Sequence, residues 1–121
     1  MSRLPLLAAL ALTALPLAAQ AAPKTISLHA RTAGELAELC AANPREPGGE
    51  AKINYCHGFA QGALDVDMHY RAKSICFPSP PPTRTATLRA FEGWVKAKAE
   101  RGSMAAAAGL VRFMQEQFPC K

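Results

Sequence analysis

Four cysteines, Cys40, Cys56, Cys76 and Cys120, constrain this chain more than any other feature. They form no C-x-x-C pair, which speaks against a zinc ribbon or a thioredoxin-like redox site. Whether an even set bridges depends on compartment, because disulfides persist where the surroundings are oxidising. The start of the chain answers that question. Arg3 supplies positive charge, Leu4 to Ala19 is almost wholly apolar, and small residues follow, the layout of a secretory leader. Ala19-Gln20-Ala21 fits the A-x-A cleavage rule, and cutting after Ala21 avoids leaving Pro23 in front. Pro5, Pro16 and the small-residue exit argue against a transmembrane anchor. The expectation is a signal peptide over residues 1–21, a single domain over residues 22–121, a periplasmic location, and no membrane insertion after cleavage.

A domain of this size buries a modest core, so covalent staples matter to it. Loss of Arg3 with the leader lowers the formal net charge from +5 to +4. The charges are scattered with no block of like sign, so nucleic acid is not an expected partner, whereas an acidic protein surface is compatible.

The mature part reads as helices separated by breakers. Lys24 to Leu28 alternates and suggests a short extended arm before Arg31. Thr32-Ala-Gly-Glu35 is a capping box that opens helix 1, expected over Ala33 to Ala42 with Leu36, Leu39 and Cys40 on one face. Pro44, Pro47, Gly48 and Gly49 break it. Helix 2 is expected from Ala51 to about Lys73. Ile53, Cys56, Ala60, Leu64 and Met68 share one stripe, and Phe59, Ala63, Val66 and Tyr70 share a second. Two stripes imply a central helix packed on two sides. Gly58 and Gly62, four apart on the remaining face, suggest that another backbone approaches there. Asp67 falls inside the apolar arc and pairs with Arg71 at i+4, as an end-of-helix ion pair.

Pro78-Ser-Pro-Pro-Pro82 reads as a stiff polyproline-like connector. Thr83 or Thr85 caps helix 3, expected over Ala86 to Glu100 with Leu88, Phe91 and Val95 inward and Trp94 alongside. Gly102 suits its C′ position and Ser103 the next N-cap, so helix 4 is expected from Met104 to Gln117, stopped by Pro119. The fold class is all-α: a small four-helix domain stapled by two disulfides.

Geometry selects the pairing. Along a continuous helix 2, Cys56 and Cys76 would lie about 25–30 Å apart, far beyond the ~7 Å that a disulfide tolerates between Cα atoms. A short loop makes helices 1 and 2 antiparallel and brings Cys40 to Cys56. The remaining bridge is Cys76–Cys120.

No Ser-His-Asp order, G-x-S-x-G, H-E-x-x-H or phosphate loop is present. Asp65 and His69 share a helical face, but His57, two turns earlier, would need outside help to complete a metal site. With every cysteine bridged, no thiol nucleophile remains. No catalytic residue, cofactor or metal is expected.

TAGELAELC, YCHGFAQGALDV, ICFP and a last helix ending in FPC resemble the Rap/Tai-type immunity proteins over about Thr32 to Cys120. The skeleton is the four cysteines with Cys56, Gly58, Phe59 and Gly62; the insert Pro80-Pro-Pro82 departs from the plainer turn usual in the family. The resemblance implies a small periplasmic helical protein, often a homodimer, that neutralises a peptidoglycan-amidase effector of a type VI secretion system by occluding its cleft. Under that reading the candidate contacts are Pro80, Pro81 and Pro82 in the connector and Glu100, Arg101 and Ser103 in the turn after helix 3. Tyr70 and Trp94 are candidate aromatic anchors. The other readings are a periplasmic acid-stress chaperone of the HdeA kind and an orphan structural or envelope-binding module.

Overall fold

The computed structural model describes residues 25–121; the leader and its cleavage point lie outside the described residues. Among these described residues five helices follow one another: α1 (Ala33–Cys40), α2 (Gly49–Tyr70), α3 (Arg84–Lys96), α4 (Ala99–Gly102) and α5 (Ala106–Gln117). Among the described residues there is no strand, only the isolated antiparallel bridge between Thr32 and Ala105. The all-α expectation holds, with four main helices and one extra turn, α4.

Helix α1 forms where the capping box predicts. Glu35 N–H donates to Thr32 Oγ1 at 3.2 Å, and Glu35 Oε2 accepts from the backbone N–H groups of Arg31 at 2.6 Å and Thr32 at 3.1 Å. This short helix, not α2, is the hub, and it packs against all four of the others. Ala33, Leu36, Ala37 and Leu39 are buried on it. Leu36 meets Cys56, Phe91, Leu110, Phe113 and Met114 in a core of fully buried side chains.

The expected central position of α2 is therefore corrected. Cys56, Ala60 and Asp67 line its buried face, whereas Val66, Met68 and Tyr70 of the two apolar stripes are exposed. Among the described residues nothing lies within 4 Å of a Cβ added at Gly58 or Gly62, so none of their backbone approaches there. The helix also stops at Tyr70 instead of Lys73. Asp67 accepts from Ser74 Oγ at 2.6 Å and pairs with Arg71, and this closes a turn in which Lys73 takes a positive φ of 65°.

The boundaries after α3 differ as well, for a reason that is not local. The backbone at the start of α1 pairs with the backbone before α5: Ala33 N–H donates to Met104 O at 2.8 Å, and Ala106 N–H donates to Arg31 O at 2.9 Å. That pairing holds Ala105 extended, so α5 starts at Ala106 with Ala105, not Ser103, in the N-cap position. Helix α3 ends at Lys96, and Gly102 becomes the last residue of α4. Both expected disulfides are present, Cys40–Cys56 with Cα atoms 5.2 Å apart and Cys76–Cys120 with Cα atoms 4.9 Å apart.

Candidate partner-binding site

The turn after α3 is the most heavily braced of the candidate segments. Glu100 and Ser103 are exposed there, and Arg101 between them is half-buried. The Arg101 guanidinium stacks 4.2 Å from the Trp94 ring centroid and donates to Trp94 O at 2.8 Å. Trp94 rests against Phe91 and Phe113. Its indole N–H donates to Glu116 Oε2 at 2.7 Å, while Arg112 Nε donates to Glu116 Oε1 at 2.9 Å. Arg101 lies 3.6 Å from the same carboxylate. The indole N–H, and after it the Arg112 hydrogen bond, hold the Glu116 carboxyl below the usual range. The structure thus brings Trp94 and Arg101 together. It sets both as braces within the scaffold, so the surface they offer is rigid and Glu100 and Ser103 project from it.

The proline connector is exposed throughout and held at both ends. Upstream, Ile75 is buried, Cys76 N–H donates to Phe118 O at 2.9 Å, and Phe77 packs on Phe118 at 5.0 Å. Downstream, Thr83 Oγ1 accepts from Ala86 N–H at 3.2 Å and caps α3. The connector and the α4 turn lie at opposite ends of α3, a helix of 13 residues and about 20 Å. The candidates therefore form two surfaces and not one. Tyr70, 79% exposed and edge-on to His69, stands at a third place, the rim of a groove of about 650 Å³ between α2 and α5.

One feature escaped the sequence reading. A depression of about 410 Å³ opens between α2, the connector and α3. Its floor is Leu64, Leu88, Leu110 and Met114; Phe77, Pro81 and Pro82 wall it, and His57 and Arg84 stand at its edge. Leu64 and Leu88 read as core from their spacing. The only available signal was Phe77, an aromatic with no helix to bury it. Among the described residues no group of three His, Cys, Asp or Glu side chains lies together to hold a metal. Asp65 accepts from Gln61 at 2.8 Å, and His69 packs on Tyr70.

No curated protein and no solved structure matches the chain. The family model of the Rap1a immunity proteins matches residues 32–120. That span takes in the capping box, all five helices and all four cysteines, and the chain belongs to the Rap1a immunity protein family.

Proposed function

We propose that this protein is exported, loses residues 1–21, and in the periplasm binds and occludes the cleft of a cognate peptidoglycan-amidase effector of a type VI secretion system. The observation that carries the proposal is the family match across the whole stapled helical region. The amidase as target, the periplasm and the secretion system come from the family resemblance. The scaffold suits such a task. Two surface segments, Pro78 to Thr83 and Glu100 to Ser103, are fixed by a disulfide, a helix cap and the Trp94–Arg101–Glu116 network. Segments ordered before docking lose little entropy on binding, which favours affinity. A homodimer, as the resemblance implies, would present each segment twice.

The test is to titrate oxidised residues 22–121 into the product of the neighbouring reading frame, or into a panel of type VI amidases, and to follow peptidoglycan cleavage. Stoichiometric inhibition of one amidase is the expected result. No inhibition across the panel would overturn the proposal. In that case, loss of tertiary structure with exposure of apolar surface near pH 2–3 would identify an acid chaperone.

A further inference from the structure

The depression beside the connector continues past it. A second depression, of about 330 Å³, shares His57 and Leu88 with the first. The two adjoin at these residues, where α2 and α3 face each other, and are treated together as a furrow. Its origin is architectural: α1 and α5 pack closely on their neighbours, whereas α2 and α3 have no comparable contact with each other. Leucine and methionine side chains line the furrow together with Pro81 and Pro82 of the connector.

Its charge is one-sided. Arg84 lines the first depression and Arg89 the second, and neither forms an ion pair among the described residues. No carboxylate lines the first depression, and Glu92 of the second is taken up by Lys96. We propose that the furrow is a docking site for an extended segment of a protein partner in which apolar and acidic residues alternate. In an extended chain successive side chains point to opposite faces. Such a segment would place apolar side chains on Leu64, Leu88 and Met114 and turn its carboxylates toward Arg84 and Arg89. The contact would run opposite to occlusion: here the partner inserts and this chain receives. The proposal rests on the reading of this chain as a partner-binding protein, but not on the partner being an amidase.

The experiment uses oxidised, isotope-labelled residues 22–121 and two peptides, acetyl-Leu-Asp-Leu-Asp-Leu-amide and its lysine counterpart, followed by amide chemical shifts. The acidic peptide is expected to shift Gln61, Leu64, Thr87 and Leu88 saturably, and the lysine peptide to bind at least about tenfold more weakly. Arg84→Glu should weaken the acidic peptide by about fivefold or more, while Lys121→Glu, an equal charge change elsewhere, should leave it within about twofold. Arg84 is the first residue of α3, where an acidic side chain suits the helix dipole, so folding is not at risk. Equal response to both peptides, shifts confined to the groove beside Tyr70, or no saturable shift would each overturn the proposal. No effector enters this titration, so its failure leaves the immunity reading untouched, and failure of the amidase assay leaves the furrow untouched.

Discussion

Asp67 shows how much a single side chain can hold. A helix-end ion pair would be exposed and weak, but this carboxylate is 5% exposed and takes the Ser74 hydroxyl as well as Arg71. Asp67→Ala should cost about 2–3 kcal/mol in a urea melt, because it leaves the turn after α2 without its acceptor. Ser74→Ala should cost about 1 kcal/mol. A loss below about 1.5 kcal/mol for Asp67→Ala would return the residue to the status of a surface ion partner. The glycines divide just as sharply. A Cβ at Gly109 would sit 2.6 Å from Ala33 Cβ, where α5 crosses α1, so Gly109→Ala should destabilise by about 1–3 kcal/mol. Gly58→Ala and Gly62→Ala meet open space and should each stabilise by about 1 kcal/mol. Thermal melts of the three variants would show opposite signs, and a loss at Gly58 or Gly62 would mean that this face is covered in solution.

Elements were legible in the sequence where their cause is local. The capping box placed the start of α1 to the residue, because Thr32 and Glu35 are three apart and satisfy each other's backbone. The pairing of the cysteines followed from the rise of a helix, and both bridges stand as expected. What failed depended on distant partners. The end of α3 and the start of α5 are set by the backbone of Arg31 to Ala33, which periodicity around residue 104 does not contain. The hub role of α1 was hidden because an eight-residue helix looks minor beside one of 22. The furrow was hidden because its floor is made of residues that spacing alone assigns to the core. At this scale the two staples should differ. By loop closure, Cys76–Cys120, spanning 44 residues, should contribute about 4 kcal/mol and Cys40–Cys56, spanning 16, about 3 kcal/mol. Cys56 is also fully buried, so replacing the Cys40–Cys56 pair by serine adds the cost of a polar group in the core. Denaturant melts of the two double-serine variants, with digestion and mass spectrometry of the unreduced parent to verify the linkages, would measure the difference.

For the molecule as a whole, two carboxylates carry the response to acid, Glu35 at the cap of α1 and Glu116, which ties α5 to α3. Backbone N–H groups of Arg31 and then Thr32 hold Glu35 below the ordinary carboxylate range, and the Trp94 indole and then Arg112 do the same for Glu116. A folded-state value below the unfolded one contributes stability above the unfolded pKa and loses it as pH falls through the folded one. Melting temperature should therefore drop from about pH 4.5 downward, and Glu116→Gln, already without that charge, should lose less over the same interval. Identical acid slopes for the two proteins would remove Glu116 from the account. The pairing of Thr32 with Ala105 carries a temporal consequence. A chain that emerges amino end first cannot enclose α1 until residues 104–106 arrive to pair with Arg31 and Ala33. A helix of eight residues does not hold by itself in water, so the end of this chain is needed before its beginning is fixed.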